Sequence, residues 1–135
     1  MKKAAFYLSD YKFEKVMIDF SKRTSNEIGL SFDPKGFFDS EKSEFKLTIT
    51  FSSKSGESKD NFIQIECKSV FKFEENTSFE DIPTYFYRNS IAIIFPYIRA
   101  FIGTITLQAN IPPIVLPTLN LSSLEIPLRE NTTTK

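Results

Sequence analysis

The stretch that decides the fold is Ile91 to Asn120, IAIIFPYIRAFIGTITLQANIPPIVLPTLN. Its first half is a nearly all-apolar helical run interrupted by Pro96, and its second half is a loop rich in proline and branched aliphatic residues. A helix that is apolar on every side is normally buried on every side. A small domain cannot easily cover such a helix alone, because it buries only about 60 to 70% of its unfolded-chain surface. The sequence therefore predicts that a second copy of the chain covers it.

A lipid bilayer is the alternative cover. The run from Ile91 to Leu107 is shorter than the roughly 20 residues that a spanning helix needs. It also carries Arg99 near its middle, where a charge is unfavourable by about 2.5 to 3.5 kcal/mol. The basic start Met1-Lys2-Lys3 is followed by Ser9 and Asp10 before an apolar signal region of adequate length has formed. We therefore expect a cytoplasmic protein.

The composition excludes several kinds of catalytic and metal site. The chain contains no His, no Trp and a single Cys, Cys67. Histidine general-base catalysis, Cys–His nucleophiles, multi-cysteine zinc sites and internal disulfides are thereby ruled out. Seventeen basic residues balance seventeen acidic ones, so no net charge draws the chain to nucleic acid or to an anionic membrane. We expect no enzyme, no cofactor and no metal, and a partner recognised by shape and apolar surface.

Alternating apolar residues predict an antiparallel hairpin in the middle of the chain. From Glu44 to Ser52 every second residue is apolar, and the same period of two recurs from Asn61 to Glu74. The turn Lys54-Ser55-Gly56-Glu57 joins the two strands. Each strand should have one buried and one solvated face.

Two further strands are predicted before the hairpin. The first, Phe6 to Phe20, changes the phase of its apolar residues in the middle, which a β-bulge near Glu14 and Lys15 would correct. The second is shorter, Glu27 to Phe32, and we expect a loop from Asp33 to Phe38 after it. Together with the hairpin these strands predict a sheet of four strands.

The second half of the chain is predicted to be helical. A long helix should run from about Thr84 to Asn110, with a kink at Pro96, and end at Ile111-Pro112-Pro113. A short last helix should run from Leu121 to about Ile126, where Pro127 stops it. The polar residues 128–135 are predicted to form a disordered tail. The length favours a single domain over residues 1–135.

Two motifs in this region resemble the SecB family of protein-export chaperones. That family carries a Phe-Pro-Tyr-x-Arg core in its helix and then a Phe-Pro-x-Leu-x-Leu-x-Pro-x-Asn stretch. The first motif is matched outright by Phe95, Pro96, Tyr97 and Arg99. In the second, Ile111 replaces the phenylalanine and Thr118 the later proline, and the matching residues are Pro112, Ile114, Leu116 and Asn120. The resemblance extends from Phe6 to Leu124.

The resemblance implies an α+β fold and a homotetramer. The expected fold is a four-stranded antiparallel sheet with one long kinked helix and a short C-terminal helix on one face. The tetramer would be a dimer of dimers, formed through the long helix and the first strand. The predicted oligomer interface consists of Phe95, Tyr97, Ile98, Phe101 and Ile105.

The resemblance also implies that the protein holds unfolded or precursor polypeptides without ATP. Such chains would lie in grooves whose apolar and aromatic walls accept many sequences without a fixed hydrogen-bond code. The predicted peptide-binding residues are Phe32, Phe37, Phe38, Ile111, Ile114, Val115, Leu116, Leu121 and Leu124.

The expected contact with the motor protein SecA is weakened in this chain. Family members receive SecA on acidic positions of the outer sheet face, and the corresponding residues here are Lys15, Asp19 and Gln64. Only Asp19 keeps a negative charge, so it is the one candidate SecA contact. Electrostatic complementarity sets encounter rate and specificity, so the sequence predicts weak SecA binding.

Several alternatives stay open at the level of sequence. The protein could be a chaperone dedicated to one client, such as the antitoxin of a toxin–antitoxin pair. It could also be a purely structural oligomer, or a small-ligand-binding or enzymatic domain that uses the apolar groove. The acidic pairs Glu74-Glu75 and Glu80-Asp81 are the candidates for acid–base chemistry, although such a charged loop is more typical of a solvated turn.

Overall fold

The fold is a twisted sheet of long strands with one long helix across its inner face. The structure is a computed structural model and describes residues 5–114, 116 and 121–135, without the side chain of Leu121. The strands are β1 (Phe6–Ile18), β2 (Ile28–Asp39), β3 (Glu44–Ser55), β4 (Asn61–Phe73) and β5 (Thr132–Thr134). The helices are α1 (Phe86–Gln108) and α2 (Glu125–Glu130). The predicted α+β class, with one long and one short helix, is confirmed.

The sheet order is β1-β4-β3-β2-β5. All neighbours are antiparallel except β5, which runs parallel to β2. The inner face carries the alternating apolar residues of β3 and β4, such as Phe45 and Ile65, and these are buried. The predicted hairpin is confirmed, and Gly56 supplies the positive φ of 53° that its turn requires.

The core is built around the ring of Phe86 at the start of α1. Phe86 is fully buried, and its centroid lies 4.8 Å from the ring of Phe6, 4.8 Å from Phe45 and 5.0 Å from Phe73. Edge-to-face pairs of this kind stabilise a fold beyond their buried area alone. The aromatic cluster therefore joins α1 to three strands at once.

The predicted bulge in β1 is confirmed. The pairing of β1 with β4 shifts register between Phe13 and Lys15, and a second shift lies between Leu8 and Asp10. Each extra residue returns the apolar side chains to the inner face. The strand ends at Ile18 rather than Phe20, because Asp19 caps a 3-10 turn that follows it.

β2 is longer than predicted. The expected loop from Asp33 to Phe38 continues the strand, and Pro34 pairs with Ile49 of β3. Gly36, two residues later, directs its N–H away from β3 to the carbonyl of Asn131. Because backbone groups alternate in direction along a strand, the nitrogen of Pro34 also points away from β3. The N–H that proline lacks is therefore not needed for a hydrogen bond between β2 and β3.

Long helix α1 ends in the geometry that its sequence favours. Asn110 has a left-handed φ of 58° and donates to the carbonyl of Leu107, and Ile111 donates to Thr106. These two bonds form a Schellman motif. The predicted bounds, about Thr84 to Asn110, are each two residues too wide.

The predicted end of the chain is wrong in two respects. Pro127 does not stop the last helix, because it lies in the first turn of α2, where the missing N–H would have no intrahelical partner. The predicted disordered tail, residues 128–135, is instead ordered. Helix α2 continues to Glu130, and Thr132–Thr134 add a fifth strand to the sheet. A short polar strand at a sheet edge has no core-facing periodicity, so the sequence offered no signal for it.

Candidate interaction surfaces

Helix α1 carries two apolar stripes. The first packs on the inner face of the sheet and is buried, and it consists of Phe86, Tyr87, Ser90, Ile91, Ile94, Phe95, Ile98, Ile102 and Thr106. The second lies on the opposite side and is exposed, with Ile93 at 37%, Tyr97 at 42% and Leu107 at 69% of full accessibility. Both recur with the helical period. The helix is thus apolar on two sides, and its own sheet covers one of them.

Small residues lie between the large side chains of the second stripe. Ala92, Pro96, Ala100 and Gly103 occupy the exposed or partly exposed turns. A Cβ added at Gly103 would meet no described atom within 4 Å. The small side chains thus leave the backbone of this stripe open to close approach.

The aromatic residues of β1 extend the second stripe towards the sheet edge. The rings of Tyr11 and Tyr97 lie 4.4 Å apart, and Phe13 stacks on Phe101 with 4.0 Å between centroids. β1 forms one edge of the sheet. The exposed surface of α1 and the edge strand are therefore continuous, which is the pair of elements that the resemblance assigned to assembly.

The predicted oligomer interface is corrected for two residues. Phe95 and Ile98 are 5% and 1% exposed and belong to the core of the protomer. Phe101 and Ile105 are partly buried against that core, and Tyr97 is exposed on the second stripe. Sequence reasoning missed Ile93 and Leu107. Assigning each apolar residue to a side of the helix with the 3.6-residue period would have separated the two stripes.

Length alone does not exclude α1 from a membrane. The helix has 23 residues and a mean hydropathy of 1.7, enough to span by length and composition. The sequence argument that the run is too short is therefore wrong, because the helix begins at Phe86. This is weak evidence for a span, since the core helix of a globular domain passes the same test, and the first stripe of α1 packs on the sheet.

Three of the predicted peptide-binding residues are part of the core. Phe38 is fully buried, and Ile114 and Leu116 are 5% and 6% exposed. They cannot line an open groove in this conformation, which corrects the prediction for these positions. The physical reason is that both loop residues join the hydrophobic core cluster, and an extended backbone does not prevent a side chain from being buried.

The other predicted peptide-binding residues divide between the two faces of the sheet. Phe32 lies on the inner face, half-buried, 5.1 Å from the ring of Phe51 and 5.6 Å from Phe95. Ile111 and Leu124 are also half-buried, and the 3-10 turn Leu121–Leu124 packs against α1 and β2. Phe37 is on the outer face, opposite Lys46. Val115 and the side chain of Leu121 are outside the described residues.

The outer face of the sheet is an open cleft of about 1310 Å³ lined by charges of both signs. Lys68 is typical, with its Nζ 3.0 Å from Glu14 and 3.6 Å from Glu66. The pKa of Lys68 is raised, mainly by its hydrogen bond to Glu14. Lys15 pairs with Glu66 across the strands. Opposite charges thus lie next to one another on this face.

The residues aligned with the SecA positions are not equivalent in the structure. Lys15 and Gln64 belong to the outer face, where they pair with Glu66 and Met17. Asp19 lies at the end of β1, and its carboxylate accepts a hydrogen bond from the backbone N–H of Ser21 at 3.2 Å. The one retained carboxylate therefore already caps a turn.

The acidic loop has a structural role at Asp81. Its carboxylate accepts hydrogen bonds from the N–H of Ser78 at 3.0 Å and from the Ser78 hydroxyl at 2.9 Å. These bonds favour the ionised form and lower the pKa of Asp81. A general acid or base would need a pKa shifted towards neutrality, so Asp81 acts as a cap. Among the described residues no group of His, Cys, Asp and Glu could hold a metal ion.

Cys67 is an inert thiol of the core. It lies on the inner face of β4, opposite Phe13 and Ile49, and is 2% exposed. Burial raises the pKa of the Cys67 thiol from its ordinary value of 9.0 to about 11. Because the thiolate is the nucleophile, the folded protein should react slowly with alkylating reagents.

We expect iodoacetamide to label Cys67 slowly at pH 8 in the folded protein and rapidly in urea. The unfolded thiol loses its proton at lower pH than the folded one, so the free energy of unfolding should fall as the pH rises from 9.0 to about 11. Urea titrations of the wild type and of Cys67→Ala check this. The free energy of unfolding should fall less between pH 9.0 and about 11 in the variant than in the wild type. An equal fall in both proteins would contradict the assignment.

Comparison with known proteins agrees with this geometry. A SecB-like chaperone of Mycobacterium tuberculosis, solved in complex with a ChAD peptide from the HigA1 antitoxin, superposes with a TM-score of 0.63 at 17% identity. The superposition covers 85% of this chain and 91% of that one. An uncharacterized protein of Methanocaldococcus jannaschii is 52% identical over 42 residues, which are 31% of this chain and 27% of that relative. Residues 2–125 match the family described as preprotein translocase subunit SecB. With that match covering nearly its whole length, the chain belongs to the SecB family.

Proposed function

We propose that the protein is a non-enzymatic chaperone that holds non-native polypeptides without ATP. Membership of the SecB family supports a chaperone role. The observation that carries the proposal is the apolar margin where the turn Leu121–Leu124 meets α1 and β2, because Leu124 of the turn and Phe32 of β2 are only half-buried. Ile126 of α2 is close in sequence and 64% exposed. Such a surface can take up apolar segments of many sequences.

The client test uses residues of this margin. We expect the wild type to suppress aggregation of a chemically denatured enzyme without nucleotide. Changing Leu124 and Ile126 together to serine should weaken client binding about thirtyfold, since each lost apolar contact contributes about 1 kcal/mol. The melting temperature should change little, because partly exposed side chains contribute little to folding.

Ile114 provides the matched control for this test. It is also a predicted peptide-binding residue but is 5% exposed, so Ile114→Ser should lower the melting temperature strongly. A wild type that leaves aggregation unchanged would refute the proposed function. Full binding by the Leu124→Ser, Ile126→Ser variant would place the client elsewhere.

We propose further that the protein assembles as a tetramer, a dimer of dimers. The support is the second stripe of α1, which leaves Tyr97 and Leu107 exposed and continues into the edge strand β1. A contiguous apolar surface of this kind marks an interaction site in a folded protein. A cytoplasmic location and weak SecA binding remain predictions within this proposal.

A dedicated client is the second candidate function. The SecB-like chaperone with the same fold was solved with an antitoxin peptide, which makes one folding-impaired partner a reasonable client class for this chain too. Comparing the affinities for several unrelated unfolded proteins separates the two functions. Similar affinities support a general holdase, and binding restricted to one partner supports a dedicated chaperone.

A further inference from the structure

The short strand β5 occupies an edge of the sheet. It pairs in parallel with β2 at only three positions, Gly36 with Thr132, Phe37 with Thr133 and Phe38 with Thr134. Two backbone bonds flank this ladder. Gly36 donates to the carbonyl of Asn131 at 3.1 Å, and Lys135 donates to the carbonyl of Phe38 at 3.0 Å.

The attachment of β5 is weak compared with that of the helix before it. Thr133 and Thr134 are exposed, and Thr132 is only half-buried. The ion pair between Lys135 and Glu41 measures 3.1 Å but is exposed, and exposed pairs contribute little.

α2, by contrast, is firmly held. Leu128 is fully buried, and Arg129 donates to the carbonyl of Thr84 at 2.8 Å while its guanidinium lies 4.8 Å from the ring centroid of Tyr87. β5 can therefore leave the sheet while α2 stays in place, as is typical of segments with few buried contacts.

The surface beneath β5 is suited to the backbone of an added strand. A Cβ at Gly36 would lie 2.4 Å from the ring of Phe45 and 2.7 Å from the Thr132 hydroxyl, so only glycine fits there. The missing side chain makes room for the Phe45 ring and the Thr132 hydroxyl, while the Gly36 N–H stays directed to the sheet edge. Phe37 and Phe38, which the sequence predicted to bind peptide, follow this glycine directly. Pro34 offers no N–H and limits the ladder on one side.

We propose that β5 is a displaceable occupant of a strand-addition site, and that an extended segment of the client replaces it on Gly36–Phe38. The inference rests on the proposed chaperone function and names where a client segment pairs. Strand addition relies on main-chain hydrogen bonds, which almost any sequence can supply. The favoured segment is extended, uncharged and rich in β-branched residues, as Thr132–Thr134 are. The backbone groups of Gly36 and Phe38 that face the sheet edge thus become free to pair only when β5 leaves.

Two proline substitutions test this with matched chemistry. Asn131 and Lys135 direct backbone groups to β2, so by the period of two the N–H of Thr133 also faces β2 and that of Thr134 faces away. Thr133→Pro removes a ladder bond, whereas Thr134→Pro imposes the same ring without that loss. Hydrogen exchange at the Gly36 amide should be faster in Thr133→Pro than in Thr134→Pro and the wild type.

The binding probe is fluorescent lysozyme that has been reduced and carboxymethylated, since a chain without its disulfides does not refold. We expect Thr133→Pro to bind it about tenfold more tightly than Thr134→Pro and the wild type, because the site no longer has to be vacated first. The probe should also slow exchange at Gly36 in the Thr133→Pro variant.

Each other outcome overturns the proposal. Equal affinities of all three proteins, with faster Gly36 exchange in Thr133→Pro, would show that β5 does not compete with the client while leaving the chaperone function intact. Weaker binding by Thr133→Pro would make β5 part of the client site. Failure of all three proteins to bind the probe would refute the chaperone function itself.

Discussion

Replacing Ala100 with aspartate is expected to break the proposed tetramer into smaller species that stay folded. Ala100 lies on the exposed second stripe of α1, between the turns of Tyr97 and Gly103. A charge buried there without a partner is unfavourable by about 3 to 5 kcal/mol. Association should weaken by at least about a hundredfold at each helix contact. Light scattering at micromolar concentration measures the mass, and circular dichroism reports the fold.

Two control variants separate assembly from folding. Ile98→Asp places the same charge in the core of the protomer, where Ile98 is 1% exposed, and should unfold the chain. Ile126→Asp changes an apolar residue that is 64% exposed on α2 and should leave both mass and fold unchanged. A wild type that is monomeric and well folded at this concentration would refute the proposed tetramer.

Truncating Phe86 to alanine is expected to cause the largest loss of stability. Its ring is fully buried and lies within 5.0 Å of Phe6, Phe45 and Phe73. Phe→Ala changes in cores lower the free energy of unfolding by about 3 to 5 kcal/mol, through lost transfer energy and the remaining cavity. The loss of several edge-to-face contacts should put Phe86→Ala at the upper end. Denaturation in urea, followed by circular dichroism, measures the change.

Ile126→Ala is the control for this measurement. Ile126 is exposed, so its truncation should change the free energy of unfolding by less than about 0.5 kcal/mol. An effect of Phe86→Ala below about 1.5 kcal/mol would mean that the surrounding rings close the cavity. The aromatic cluster would then not be the part of the core that joins α1 to the sheet.

The residues of the chain determined most of the regular structure. Alternation at period two placed β3 and β4, the change of phase in β1 placed the bulge at Phe13 and Lys15, and the apolar run placed α1 within two residues at each end. These signals are local, because each depends on which face of one element is apolar. The family resemblance was equally local, since its motifs lie in α1 and the loop after it, and the match over residues 2–125 confirms it.

Only the tertiary structure decided which apolar residues are available to a partner. Hydrophobicity is the same for a side chain that meets its own sheet and for one that meets solvent, so Ile98 and Tyr97 could not be assigned until α1 was docked. Ile114 and Leu116 entered the core for the same reason. The strand Thr132–Thr134 depends on the unpaired edge of β2 at Gly36, far away in sequence. Composition and period fix which faces are apolar, whereas docking fixes which faces and edges remain open.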